Sequence, residues 1–321
     1  MIKAAIIAGE SYNAGELIRL LVNHPDVTLK WVQSSSNAGR AVSEVHHGLV
    51  GDSDLVFTGN IDYSGIDVVF SCMAHGESAK WFAEHPFPEE MRVVDLSQDY
   101  RMAEGDWVYG LPELNRKPMV RGARHVANPG CFATVVELAL LPLARNLLLN
   151  GTIHISAITG ATVDGNIPSE SSHFPHMSNN VEITDPLTHR HLGEIKRTLG
   201  QLQSSFDSEI DFIPFRGGFS RGILAAIYLD CKVDIETLRK LYDETYDDHN
   251  FTYRIDRRPN LKDVAGTNKC LLHLEKVGDK LVISAAIDNL LKGGAGNAVH
   301  NMNLLFGLHE RTGLQLKATA Y

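Results

Sequence analysis

In the stretch Asn128-Pro129-Gly130-Cys131-Phe132-Ala133-Thr134, a cysteine follows a Pro-Gly turn and opens an apolar segment, Val135 to Leu143, with helical spacing. A cysteine in a first helical turn lies at the positive end of the helix dipole, among N–H groups that have no intrahelical partner. Both favour thiolate over thiol, which makes Cys131 a candidate nucleophile. Free cysteine is also among the most buried residue types, so alone the position reads more readily as a small core side chain. Its company decides between the two.

The second group is Thr188-His189-Arg190-His191-Leu192-Gly193-Glu194. It opens a helical pattern that runs from Asp185-Pro186, read as N-cap and first-turn proline, through Leu192, Ile195, Leu199 and Leu202. His189 and His191, at i and i+2, point to different faces of a helix, which makes a poor two-ligand metal site; no metal is expected. His191 and Glu194, at i and i+3, share a face, and a carboxylate beside an imidazole orients it and raises its pKa, as a general acid/base requires. Two solvated histidines at a helix end would show the same spacing. Arg101, after Ser97-Gln98-Asp99-Tyr100, is a candidate fork for phosphate. Arg216-Gly217-Gly218-Phe219-Ser220-Arg221-Gly222 offers two more guanidiniums, with exposed surface arginines as the plainer alternative.

These groups need elements to hold them. Lys3 to Ala8 reads as a buried strand and Gly15 to Leu21 as an amphipathic helix, a Rossmann opening. A G-x-x-G-x-x-G fingerprint would put glycines at 8, 11 and 14, where the chain has Ala8, Ser11 and Ala14; Gly9 and Gly15 remain. Val27 to Gln33 is the next strand, followed by Ser34-Ser35-Ser36-Asn37-Ala38-Gly39-Arg40. Hydroxyls plus an arginine at this strand end suit a ribose 2′-phosphate, whereas an acidic residue would suit a 2′-hydroxyl; NADP(H) is the expected cofactor. Strands at Ile66–Met73 and Met91–Leu96 end in turns at 74–76 and 97–101, on the side where an open parallel sheet binds its ligands. His75 there is a ligand contact or simply a capping donor.

From Gly151 the pattern changes. Thr152 to Ile158 alternates, and further strands fall at Ile210–Phe215, Gly222–Cys231, Lys269–Glu275 and Lys280–Ile287, which predicts a mixed or antiparallel sheet covered by helices on one face. The glycine-bearing loop Gly160 to Pro168 could hold substrate. Asp288-Asn289-Leu290-Leu291-Lys292-Gly293-Gly294-Ala295 is a second glycine-rich turn, running into a helix with Ala298, Val299, Met302, Leu305 and Phe306 on one face. Its N-terminus supplies N–H groups for an anion. The expected fold is therefore α/β: a Rossmann-type parallel-sheet domain over 1–130, completed by a C-terminal helix over 295–321, and an α+β substrate and oligomerisation domain with a mixed sheet over 131–294.

Composition bounds the function. The 321 residues are 44% hydrophobic with no low-complexity run, enough for two cores. A net charge of -9 argues against a nucleic-acid or anionic-membrane surface. Cys72, Cys131, Cys231 and Cys270 are widely spaced, neither a disulfide framework nor a CxxC pair, which suits a reducing cytosol. The apolar start, Met1 to Ala8, is too short for a signal sequence, and no run reaches membrane-spanning length. A soluble cytoplasmic protein is expected, with a small-molecule partner rather than nucleic acid or membrane.

Taken in order, Tyr109-Gly110-Leu111-Pro112-Glu113, Asn128-Pro129-Gly130-Cys131, His189-Arg190-His191 with Glu194-Ile195, Arg221-Gly222-Ile223-Leu224-Ala225, and Asp288-Asn289-Leu290 to Asn301-Met302-Asn303 resemble the N-acetyl-gamma-glutamyl-phosphate reductases of arginine biosynthesis. The likeness runs nearly end to end. It implies a homo-oligomer, dimer or tetramer, and NADPH-dependent reduction of an acyl phosphate. The Cys131 thiolate attacks, phosphate leaves, and the thioester takes hydride to give a semialdehyde. By the same likeness His191 is the acid/base and His189 lies nearer the nicotinamide, although the reverse assignment is also open. Arg101 and Arg221 clamp phosphate or carboxylate, and the backbone around Asn128 and Cys131 stabilises the oxyanion. The dinucleotide is met by Gly9, Ser11, Tyr12, Asn13 and Ala14, by Ser34, Ser35 and Arg40, and by His75, Gly160, Asn289 and Lys292.

One departure bears on the substrate. Where the family has a Ser-Gly-Ala-Gly type turn, this chain reads Thr159-Gly160-Ala161-Thr162-Val163-Asp164-Gly165, so an N-succinyl or other acyl-amino-acid phosphate stands beside the N-acetyl one. Two other readings remain. One is an aspartate-semialdehyde dehydrogenase, which lacks the His-Arg-His element and places its histidine after the arginine, where residues 216–224 have none. The other is a non-enzymatic dinucleotide-binding regulator, made thinkable by Ala8, Ser11 and Ala14.

Overall fold

The computed structural model describes residues 1–103 and 105–319. The chain divides into two units, Met1–Pro129 with Gly294–Gln315, and Gly130–Gly293 with the stretch from Leu316. In the first unit the order is β1 (Ile2–Ile7), α1 (Tyr12–Leu21), β2 (Val27–Gln33), β3 (Phe57–Thr58), β4 (Val68–Ser71), α2 (Ser78–Glu84), β5 (Arg92–Asp95), β6 (Trp107–Tyr109), α3 (Pro112–Val120) and β7 (His125–Ala127). Ala4, Ala5, Ile6, Val68, Val69, Phe70, Val93 and Val94 are fully buried. A strand buried on both faces belongs in a parallel sheet, and all seven strands are parallel, in the order β3-β2-β1-β4-β5-β7-β6. The order reverses between β1 and β4, so the ligand crevice of this sheet lies beyond the carboxyl ends of those two strands.

Helix α1 starts three residues before Gly15, because Ser11 caps it: its hydroxyl accepts from the Ala14 N–H at 3.2 Å. The two-residue β3 and the three-residue β6 and β7 are too short to show a period and were not expected. Ala8, where the fingerprint has glycine, takes φ +57°, so the turn keeps its left-handed residue despite the methyl group, at a cost of about 1–2 kcal/mol. Gly9 is required for space: a Cβ there would stand 2.1 Å from Val32 Cγ1.

The second unit runs α4 (Cys131–Arg145), β8 (Ile153–Thr159), α5 (Phe174–Met177), β9 (Val181–Ile183), α6 (Leu192–Leu202), β10 (Ile210–Gly217), β11 (Ile223–Asp230), α7 (Ile235–Tyr246), β12 (Thr252–Arg254), β13 (Cys270–Val277) and β14 (Lys280–Ile287). Its seven-stranded sheet, ordered β12-β13-β14-β11-β8-β10-β9, is mixed: β8 pairs parallel with β10 and antiparallel with β11. Along β11, Ile223, Ala225, Ile227 and Leu229 are buried while Ala226, Tyr228 and Asp230 are exposed. Every residue of α4 from Phe132 to Ala144 is buried, so it is the central helix of this unit rather than a half-exposed amphipathic one.

Two expected helices change. The helix expected from Asp185-Pro186 begins only at Leu192, since Asp185 and Leu187 take φ +42° and +61°, which no helix accepts. His189-Arg190-His191 therefore forms the turn that leads into α6, with His191 as N-cap. The C-terminal helix α8 (Ala295–Leu305) packs in the first unit against α1, α3 and β5, but it ends well before 321. Turns and irregular chain follow it to 319, and positions 320 and 321 lie outside the described residues.

Candidate active site

Cys131 is the first residue of α4, as its sequence context suggests, and Gly130 is the N-cap, with φ -68° and ψ 146°. The Gly130 N–H donates to Glu194 Oε2 at 2.9 Å, and the Thr134 N–H and hydroxyl donate to the Gly130 carbonyl at 2.8 and 3.0 Å. The chain into the cysteine is thus held on both sides of one glycine. His191 lies on that glycine: a Cβ at position 130 would be 2.3 Å from His191 Nε2. His191 and Glu194 are 2% and 4% exposed, with Nε2 and Oε1 4.0 Å apart, so the carboxylate is a charge neighbour of the ring through one oxygen and a clamp on Gly130 through the other. Gly293 matters in the same way, since a Cβ there would be 2.7 Å from Cys131 Cβ. Two glycines clear the flanks of the cysteine, a role no sequence pattern announces.

His189 has a different place. Its Nδ1 accepts from the His191 main-chain N–H at 3.2 Å, which fixes the neutral Nε2–H tautomer. Its ring packs edge to face with Phe132, Phe212 and His191 at centroid distances of 5.3, 5.4 and 4.6 Å. Burial, followed by the Arg190 charge, brings its pKa down to about 4. The folded protein holds this ring neutral while an unfolded chain charges it near 6.5. The associated stability is complete above 6.5 and is lost as pH falls toward 4. Urea midpoints should therefore drop more between pH 7 and pH 5 for the native chain than for His189→Asn, whose Oδ1 can take the same N–H.

The arginines are less open than their spacing suggests. Arg221 pairs side-on with the buried Asp288, Nε to Oδ2 at 2.8 Å and Nη2 to Oδ1 at 3.0 Å. Asp288 also accepts from the N–H groups of Leu290, Leu291 and Gly266, so one carboxylate organises the turn that ends in Gly293. Arg216 is engaged by Asp164 and Glu182, which joins the ends of the 164–182 segment. In the first unit, Arg101 is 5% exposed and donates to the carbonyls of Leu96 at 3.0 Å and Asn128 at 2.9 Å, tying the ends of β5 and β7. Asn128 accepts from Asn297 and Asn301 and donates to the Gly294 carbonyl. Arg101 and Asn128 thus brace backbone, where a substrate contact was expected.

Three expected cofactor contacts are likewise taken up by the fold of the second unit. Lys292 is fully buried, its Nζ 5.9 Å from the Phe251 ring centroid, so it presents no surface cation. Asn289 accepts from the Gly222 N–H and donates to Thr162 Oγ1, and Gly160 gives room to the 219–221 backbone, 2.7 Å from where its Cβ would be. His75 accepts from the Gln98 N–H through Nδ1, the capping alternative. The cradle in the first unit fits a dinucleotide better. The first turn of α1 carries N–H groups without intrahelical partners, Asn13 Oδ1 is buried there with no hydrogen-bond partner, and Ser34, Ser35 and Arg40 follow β2. Arg40 is exposed and held by Asn37 Oδ1 at 2.8 Å and Glu44 at 3.3 Å. Cys72 is no rival nucleophile: burial, with Asp95 and Glu10 adding to it, pushes its thiol far up. Among the described residues no cluster of three or more His, Cys, Asp or Glu could hold a metal, and no helix is long and apolar enough to cross a membrane.

Known proteins match this arrangement over its whole length. The family models described as "Semialdehyde dehydrogenase, NAD binding domain" and "Semialdehyde dehydrogenase, dimerisation domain" match residues 3–121 and 131–289. The fold is shared with solved aspartate semialdehyde dehydrogenases. That of Vibrio cholerae, complexed with ASA, has a TM-score of 0.73 at 16% identity over 96% of this chain and 98% of its own. The Candida albicans protein with NADP gives 0.71 at 13% identity over 95% and 98%. The architecture is thus that of the semialdehyde dehydrogenases, with a nicotinamide dinucleotide as cofactor class and a second unit of the dimerising type. Curated proteins named N-acetyl-gamma-glutamyl-phosphate reductase are much nearer in sequence: those of Parabacteroides distasonis and Phocaeicola vulgatus are 55% and 54% identical, each over 100% of both chains. The chain belongs to the N-acetyl-gamma-glutamyl-phosphate reductase family.

Proposed function

We propose that the protein reduces an N-acyl-gamma-glutamyl phosphate, N-acetyl in the first instance, to the N-acyl-glutamate 5-semialdehyde and phosphate, as a cytoplasmic homo-oligomer in arginine biosynthesis. The observation that carries the mechanism is Cys131 at the start of α4, with His191 lying on the glycine before it and Glu194 fastened to that glycine's N–H. The helix N-terminus supports the thiolate. The thiolate sulfur forms a bond to the acyl carbon while the carbon–oxygen bond to phosphate breaks, and phosphate departs with the electron pair. A reduced nicotinamide dinucleotide, which the turn after β1 and the first turn of α1 would hold, would supply a hydride for the resulting thioester. His191 gives a proton to the developing oxygen and takes one as the carbon–sulfur bond breaks, which releases aldehyde and restores the thiolate. Glu194 is placed to stabilise the imidazolium when His191 holds the proton. The tautomer lock on His189 favours His191 for this role.

NADP(H) is the preferred form, by the exposed hydroxyl of Ser35 and the exposed fork of Arg40, with the buried Ser34 hydroxyl bonded to Asn37 beneath them. Arg40→Ala should raise KM for NADPH about tenfold and leave KM for NADH within about twofold, since only one of them carries the 2′-phosphate. Equal changes for both would place the 2′-phosphate elsewhere. The activity itself is tested in reverse, as phosphate- and NADP-dependent growth at 340 nm with N-acetyl- and N-succinyl-glutamate semialdehyde. A rate with either aldehyde names the acyl group. Nucleotide binding with no rate on either would leave the dinucleotide-binding regulator in its place.

A further inference from the structure

The glycine-poor turn of the first unit has a support that nothing in the reaction requires. His46, between β2 and β3, reaches back across 37 residues, and its Nε2 lies 2.7 Å from the Gly9 carbonyl oxygen. A carbonyl only accepts, so Nε2 carries the proton there. The ring also fills the space left by Gly15: a Cβ on that residue would be 2.6 Å from His46 Nδ1 and 2.9 Å from Cε1. Phe57, tilted on the imidazole at 6.2 Å between centroids, would itself be 3.1 Å from a Cβ on Gly9. Both retained glycines, Gly9 and Gly15, therefore border one wedge made of His46 and Phe57. Ala8, Ser11 and Ala14 stand where flexible glycines would otherwise let the turn adjust.

We infer that His46 is a positioning residue for the dinucleotide, acting through Gly9. This rests on the reading that the turn after β1 receives the pyrophosphate. The peptide unit is planar and trans, so fixing the Gly9 carbonyl fixes the plane of the Gly9–Glu10 peptide and the path of the chain into Ser11, the N-cap of α1. It also keeps the carbonyl dipole turned toward His46. Ala8 occupies a left-handed conformation that is costly for a residue with a Cβ, so the turn holds strain that the His46 contact helps to keep in place. His46 thus stands in for the missing glycine fingerprint by holding the turn ready rather than by touching the cofactor.

The test is a fluorescence titration of the full-length chain with NADPH and with NADH, beside thermal melts. His46→Leu should weaken both nucleotides about five- to tenfold, the size of one buried hydrogen bond, with the loss in affinity and nucleotide KM rather than in kcat. His46→Gln, whose amide can donate to the same carbonyl, should recover most of that loss. Gly15→Ala, which pushes on the ring from the helix side, should reproduce the defect even if the leucine variant folds poorly. Native affinity in His46→Leu or Gly15→Ala, or no recovery with glutamine, would overturn the inference while leaving the function intact. An unsubstituted chain that binds neither nucleotide would overturn both.

Discussion

Cys131→Ser is expected to lower kcat by about four orders of magnitude or more, because an alcohol gives far less of its nucleophilic anion at neutral pH than a thiol does. The helix dipole and first-turn N–H groups can bring a thiol into range of neutral pH; an alcohol begins many units higher. No other cysteine is placed to compensate. Cys231 and Cys270 are buried, and Cys72 is held as the thiol by its surroundings. Nucleotide affinity should survive the substitution, since serine differs from cysteine by one atom and the turn after β1 that would receive the pyrophosphate contains no part of α4. A serine variant with even a hundredth of native activity would argue against a covalent path.

The next largest effect is expected at His191. His191→Asn should reduce kcat by about 10²- to 10⁴-fold, the range for losing a positioned acid/base, with little change in substrate KM. Its neighbour separates the two jobs of one carboxylate. Glu194→Gln keeps an acceptor for the Gly130 N–H but removes the charge beside the ring, whereas Glu194→Ala removes both. The alanine variant should therefore lose clearly more activity than the glutamine variant, and Thr134, still bonded to the Gly130 carbonyl, should keep α4 folded. Equal losses in the two would mean that charge alone matters. Exchanging these roles for His189 is disfavoured by its pKa near 4 and by the main-chain N–H that occupies Nδ1.

Much of this was legible in the sequence, for reasons that can be named. Val27–Gln33 and Lys280–Ile287 are long apolar or alternating runs, and both fold as strands with those bounds. The helix after Cys131 was legible because Pro-Gly followed by an apolar run is a strong start signal. Asp185-Pro186 carries the same kind of signal and misleads: Asp185 takes φ +42°, the Leu187 N–H donates to the Phe212 carbonyl of β10 at 2.9 Å, and the helix waits until Leu192. The charged side chains were the least legible. Spacing reveals that Arg101, Arg216 and Arg221 could grip an anion, but not that Asn128, Glu182 and Asp288, 27 to 67 residues away, already engage them. Lys292 is similar, a lysine in a glycine-rich turn that folding buries beside Phe251. Partnerships of that kind are set by the packing of distant strands, which local pattern does not encode.

The covalent step is the centre of the account, and trapping it is the most direct test. The enzyme would be mixed with N-acetyl-gamma-glutamyl phosphate without nucleotide, quenched in acid and digested, and the cysteine peptides weighed. An acyl adduct on the peptide that contains Cys131, released by added NADPH and absent from Cys131→Ser, is the predicted result. No adduct on a chain that still reduces the substrate, or an adduct on the Cys72 peptide instead, would contradict the mechanism.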